Sequence, residues 1–278
     1  MGLEFLLGSE MNKPIHLFFI GIVFSSIAVF LSSSLFSHSP SMVVIAFMTI
    51  PCIYVFTNYL NKKSEEETKE CSIKNVFMIN VDLAEMYLFL FLGMSVGITL
   101  WFSILPFEML KNVFSEQIWN LEQLGVATGF AINPETFMLI ASNNVKLVLL
   151  CTIMSFIFGA GSLFILSWNA SVVGVAVGTL ISKMRMAGTA ASMAALRGLS
   201  LGTAYYILHL VPEVVAYFYA AVAGAFISSA FIRYKPFSKE CKKLLGISLL
   251  LLFISVALII FGAYVEIQVS YAIQSMYG

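Results

Sequence analysis

Charge is scarce in this chain. Asp, Glu, Lys and Arg make up 11% of its 278 residues, against about 25% in a soluble domain. Apolar residues fill the gap at 60%, and mean hydropathy reaches +0.94. That surplus excludes a water-soluble globule and points to lipid as the solvent. The 15 basic residues balance the 15 acidic ones, so no global field draws a polyanion and no nucleic-acid partner is expected. Cys52, Cys71, Cys151 and Cys241 stand far apart with no C-x-x-C pair, which argues against a metal cage or a disulfide framework. Cys52 and Cys151 lie in apolar runs and read as small core hydrophobes. An H-E-x-x-H zinc motif, a G-x-S-x-G elbow and a pair of membrane aspartates are all missing, so no enzyme and no cofactor are expected.

What is present is a series of long apolar runs. Ile15–Phe36 is too long for a signal h-region, and Glu4 and Glu10 stand where a basic n-region would be. It reads as the first retained helix. Further runs at Met42–Leu60, Tyr87–Leu105, Val145–Trp168, Tyr205–Ile232 and Leu244–Val265 approach or exceed the roughly 20 residues needed to cross a bilayer. Ser171–Ser182 is apolar but short, and reads as a thin, tilted or re-entrant segment. The expected fold is an all-α polytopic bundle of about seven membrane segments, with a bent helix at Pro212. By position the chain divides into an N-terminal helix pair and loop over 1–80, a membrane core over 81–236 and a last helix over 237–278.

Basic residues collect in two connections. Asn61–Glu85 holds Lys62, Lys63, Lys69 and Lys74; Arg233–Lys243 holds Arg233, Lys235, Lys239, Lys242 and Lys243. Between Pro106 and Asn144 the charges are acidic apart from Lys111. The positive-inside bias puts both basic connections and the N-terminus in the cytoplasm of a multi-pass cell-membrane protein. Lys183, Arg185 and Arg197 run against that bias if Ser171–Ser182 crosses fully. Phe107, Leu110, Phe114, Ile118, Leu121 and Leu124 recur at helical intervals, which predicts an amphipathic helix at the outer interface. Asn133-Pro134 marks a turn in the loop that follows.

Glu213 is the only charged residue between Arg197 and Arg233. An ionisable group at such depth costs roughly 2.5–3.5 kcal/mol on insertion scales, which makes it a functional candidate. His209 precedes it by one helical turn and shares its face. Pro212 stands between them, either breaking the hydrogen bond to Leu208 in mid-helix or opening a half-helix with Glu213 in its first turn. Against a proton-coupled or substrate-binding role stands a structural one, in which Glu213 bolts two helices together. His16 and His38 are at the ends of the first run, so no third ligand joins His209 and Glu213 and no metal is expected. Asn143 and Asn144 sit where the fourth run begins and Asn169 where it ends; they read as caps, or as partners of Glu213 if the helices converge.

Small residues form stripes. Ala216, Ala220, Gly224 and Ser228 recur every four positions, and Gly93-xxx-Gly97 and Gly174-xxx-Gly178 add two more contacts. Packing within one subunit explains them, and so does a homo-oligomer.

Taken in order, Asn143-Asn144, the Gly159/Gly161 stretch in the following helix, Asn169, Gly174, Gly178 and His209-x-x-Pro212-Glu213 with Gly224 resemble the stage II sporulation protein M family over Tyr87–Arg233. Asn169-Ala170 replaces the family's Asn-Gly, and His209-Leu210 its His-Gly. The resemblance implies a polytopic membrane protein that recruits or supports envelope-remodelling partners, alongside its lipids, without being a hydrolase. A small transporter or lipid-handling protein using His209 and Glu213 is the competing expectation; no inverted repeat supports it.

Overall fold

Backbone in hydrocarbon must satisfy its own hydrogen bonds, and among the described residues this chain does so with helices alone. The computed structural model describes residues 14–36, 40–67, 73–123, 134–159, 161–186, 188 and 191–277, with side chains left aside over 55–83, 134–136, 191–209 and 269–277 and at 123, 233 and 240. The helices are α1 (Pro14–Leu35), α2 (Pro40–Glu67), α3 (Ile73–Ile104), α4 (Phe107–Val113), α5 (Ser115–Gln123), α6 (Pro134–Phe158), α7 (Ser162–Met186), α8 (Ala191–Arg233) and α9 (Lys239–Tyr277). Six of them contain stretches long and apolar enough to cross a membrane, and Pro40–Tyr54 of α2 is a shorter apolar stretch. The protein is an all-helical, multi-pass integral membrane protein.

Two of the expected segments are redrawn. Val145–Trp168 is not one span. Gly159 adopts φ +63 and its N–H donates to the Ser155 carbonyl at 3.0 Å, a left-handed cap that ends α6. A new helix starts at Ser162. Gly159 and Gly161 therefore form the connection and do not lie inside a helix. Ser171–Ser182 in turn is not a short separate segment: it belongs to one continuous 25-residue helix, Ser162–Met186, long and apolar enough to cross a membrane. Asn143 and Asn144 consequently lie within α6, well past its start, and Asn169 lies within α7, so neither position caps a helix. Pro212 stands inside α8, which continues through it; the half-helix alternative is not what forms.

The chain clusters into two compact units that interleave along the sequence. The first comprises Met1–Cys52, Phe89–Phe130 and Ser167–Ile207. Within it α1, α3 and α7 run parallel and close. A Cβ on Gly21 would meet the Leu90 carbonyl and the Met94 nitrogen at 2.7 Å, and one on Gly93 would strike the Phe18 backbone. Gly97 is pressed against Ser25 and Ile22, Gly174 against Ser95 and Ile98, and Gly178 against the Phe102 ring. Where Gly174 lets α7 approach, Thr99 donates its hydroxyl to the Gly174 carbonyl at 3.1 Å.

The amphipathic stretch expected at the outer interface is helical but divided at Phe114, between α4 and α5. Its docked face is Val113, Phe114 and Gln117, all buried, whereas Phe107 is 65% exposed. Phe114 packs on Phe102 with ring centroids 5.6 Å apart, and Gln117 Nε2 donates to Ser171 Oγ at 3.2 Å. The stretch is thus tied into its unit as well as amphipathic. Leu124 lies outside the described residues.

The second unit comprises Ile53–Leu88, Ala131–Leu166 and Leu208–Gly278. Its core joins Val148 and Cys151 of α6, Ile165 of α7, Ala216, Tyr217 and Ala220 of α8, and Ile259 of α9. Ala216 and Ala220 let α8 approach α6, and a Cβ on Gly224 would run into the Thr152 carbonyl. Ser228, the last of that stripe, is half-buried. The stripes are therefore occupied within one chain.

A buried polar network on α6 and α8

Buried positions on α6 recur at Asn144, Val148, Cys151 and Ser155, the i, i+4, i+7, i+11 pattern of one helix face. On α8 the facing positions are Glu213, Ala216, Tyr217 and Ala220. Both faces are apolar or small except where they meet at Asn144, Glu213 and Tyr217. There Asn144 Nδ2 donates to Glu213 Oε1 at 2.7 Å, and the Tyr217 hydroxyl donates to Asn144 Oδ1 at 2.8 Å. Glu213 and Tyr217 lie one turn apart on α8, and the single amide of Asn144 spans both.

The direction of these bonds is chemically consistent. An ionised carboxylate accepts only, so the amide must present its NH₂ group to Glu213, which leaves the amide carbonyl for Tyr217. A hydrogen bond into that carbonyl polarises the amide and strengthens its donation to the carboxylate. A protonated Glu213 retains an acceptor oxygen, so the same bridge holds the residue in either state. Glu213 is 7% exposed, Asn144 8% and Tyr217 2%: the network is enclosed by helix packing.

Three further groups come within electrostatic reach. Glu266 of α9 interacts with both Glu213 and Tyr217. Tyr87 and Cys151 also act on Tyr217. Tyr87 is buried, its hydroxyl donates to the Ser162 carbonyl at 3.4 Å, and its ring lies 5.4 Å from that of Phe218.

Of the residues picked from the sequence, Glu213 and Asn144 are brought together. Asn143 is exposed and does not join them. Asn169, half-buried, falls in the first unit and has an interaction of its own. His209 belongs to α8 one turn before Glu213, but its side chain lies outside the described residues, as does that of Arg197. Arg185 donates to the Ser103 carbonyl at 3.4 Å, within the first unit. Among the described residues no group of three or more His, Cys, Asp or Glu could hold a metal ion.

Tyr217 and Glu266 are the residues the sequence reading missed. Tyr217 follows Glu213 by four positions, the same helical spacing by which His209 precedes it, so the signal was present on the other side. Glu266 lies one residue beyond Val265, where the last apolar run ends in the sequence, whereas the span in the structure continues to Gln268. The chain matches no protein-family model, no curated protein and no solved structure.

Proposed function

We propose that this integral membrane protein is a non-enzymatic scaffold that recruits or supports envelope-remodelling partners. The observation that carries the reading is the enclosure of Glu213. Its carboxyl, the Asn144 amide and the Tyr217 hydroxyl are buried together and bonded to one another, which suits a bolt between two helices. A bolt of this kind costs desolvation and returns specificity, because only one register of α6 on α8 satisfies all three groups. The resemblance to the stage II sporulation protein M family supports the same reading. The lysine and arginine distribution supports a cytoplasmic N-terminus. Because the small-residue stripes are filled by contacts within the chain, partners or further copies would meet other faces.

A second reading has one observation in its favour. Glu266 brings another carboxyl within electrostatic range of Glu213, and two carboxyls in a low dielectric tend to hold a proton between them. That arrangement suits proton-coupled transport or lipid handling.

Glu213→Gln separates the two. Glutamine keeps the acceptor for Asn144 and loses the titratable proton. On the scaffold reading the variant reaches the membrane at the normal level and retains the proteins cross-linked to wild type in intact cells. Glu213→Leu, which breaks the bridge, loses them. Proteoliposomes loaded with a pH-sensitive dye provide the counter-test. A proton flux present in wild type and abolished by Glu213→Gln overturns the scaffold in favour of transport.

A further inference from the structure

The connection between α8 and α9 is short. Residues 233–240 alone join the span Leu210–Ile232 to the span Cys241–Gln268, so whatever they carry stays at headgroup depth. They and the first turn of α9 carry Arg233, Lys235, Lys239, Lys242 and Lys243 against a single acid, Glu240. Lys235, Lys239, Lys242 and Lys243 are exposed.

A strained turn stands in the middle of these cations. The Ser238 N–H donates to the Lys235 carbonyl at 3.1 Å, with Pro236 and Phe237 between them. Phe237 has φ 66, the only non-glycine residue with positive φ among those described. Proline followed by a left-handed residue is the pattern of a type II turn, whose second central position normally takes glycine. A phenylalanine there costs stability that glycine would not. Its ring makes no core: Phe237 is 83% exposed, and Ile232 at the end of the preceding span is 79% exposed. The turn is pinned from the α9 side, because Ser238 Oγ accepts from the Cys241 N–H at 3.2 Å. A strained backbone therefore holds an exposed aromatic ring in a segment that carries exposed lysines before and after it.

From this geometry we infer that the α8–α9 turn is a binding site for the phosphate headgroups of anionic phospholipids. Lys235, Lys239 and Lys242 meet the phosphates, and the Phe237 ring enters the boundary between headgroups and acyl chains. Aromatic side chains favour that boundary, and juxtamembrane cations attract anionic lipid within a Debye length of the surface. A protein partner with an acidic face would match the lysines but would leave the apolar ring without a reason.

The test uses full-length protein in phosphatidylcholine nanodiscs carrying trace spin-labelled phosphatidylglycerol or spin-labelled phosphatidylcholine. The immobilised fraction of each is read by electron paramagnetic resonance. Wild type should favour phosphatidylglycerol several-fold, and salt at about 0.5 M should erase the preference. Lys235→Gln/Lys239→Gln/Lys242→Gln should reduce it, by up to about fivefold per lysine. Phe237→Gly relaxes the turn, so its melting temperature should hold or rise while the lipid preference falls. That opposite movement distinguishes a lipid site from a structural turn, and it does not depend on the triple variant folding. A wild-type preference near one, or a preference unchanged in Phe237→Gly and in the lysine variant, overturns the inference. Loss of a co-purifying protein with lipid preference unchanged overturns it in favour of a protein partner.

Discussion

The two units are held together by different means. In the first, α1, α3 and α7 approach until the backbone of Gly21, Gly93, Gly97 and Gly174 meets backbone, and that of Gly178 meets the Phe102 ring. The second brings α8 and α6 together in this way where Gly224 meets Thr152, and adds the Glu213–Asn144–Tyr217 bridge. In lipid there is no hydrophobic drive to bring helices together, so association rests on close packing and on hydrogen bonds. The first unit relies mainly on one of these and the second uses both. Close packing gives a seam that tolerates no added side chain. A polar bridge gives a seam whose strength depends on two hydrogen bonds, and which a conservative change can leave standing.

The largest effect should come from breaking the close-packed seam. Gly97→Leu places a branched side chain where Ser25 Oγ and Ile22 Cα now stand. Neither neighbour is the free end of a flexible chain, so α1 must move away from α3. We expect destabilisation of about 3 kcal/mol or more, at the upper end of overpacking effects, seen as loss of monodisperse protein in size-exclusion chromatography. A well-behaved Gly97→Leu variant with wild-type melting would show that this seam is not tight.

Next comes the polar seam. Glu213→Leu leaves the Asn144 amide buried with a donor unpaired, which costs about 1–3 kcal/mol. Glu213→Gln should cost less than about 1 kcal/mol, because the acceptor survives. Thermal unfolding in detergent would order them: wild type, then Gln, then Leu. If Gln were as damaging as Leu, the charge rather than the hydrogen bond would be what the seam requires.

How much of this was legible in the sequence follows from the range of each interaction. The membrane class and the small-residue stripes were readable because composition and four-residue periodicity are local. Glu213 stood out because a lone charge in an apolar run is a local anomaly. The break at Gly159 was misread, since hydropathy averages across a turn that contains no polar residue. The signals were Gly159-x-Gly161 and the absence of charge from Lys146 to Lys183, too long a stretch for one crossing. Asn144 could be named but not distinguished from Asn143. Neighbours on a helix differ in direction by about 100°, and only the partner helix decides which one is buried. Glu266 required knowing that α9 passes by α8, a contact between positions far apart in sequence.

Tyr217→Phe offers a smaller and more specific test. It removes the hydroxyl that donates to Asn144 Oδ1 and keeps the ring in the core it shares with Val148, Cys151 and Ile259. We expect a loss of about 0.6 kcal/mol, typical of one side-chain hydrogen bond between membrane helices. If the Tyr217 bond strengthens Asn144's donation to Glu213, the Tyr217→Phe and Glu213→Gln effects should not add in a double-mutant cycle. Simple additivity would mean two independent bonds and no coupled network.

The smallest effect should come from a glycine that no helix approaches. Gly246 lies in α9, exposed, and a Cβ built on it meets nothing within 4 Å. Gly97 and Gly224 each belong to a small-residue stripe and Gly246 to none, yet composition alone would rank the three glycines together. Packing ranks them apart. Gly246→Ala should leave melting unchanged, or raise it by the helix preference of alanine, at most about 1 kcal/mol. Gly224→Ala, which drives a methyl group into the Thr152 carbonyl, should lower it. Running the two substitutions side by side holds the chemistry of the change constant and varies only the neighbour. A loss of stability at Gly246 equal to that at Gly224 would mean that α9 packs there against a surface absent from the isolated chain. The exposed face of α9 would then have to be counted as an interface with a second molecule.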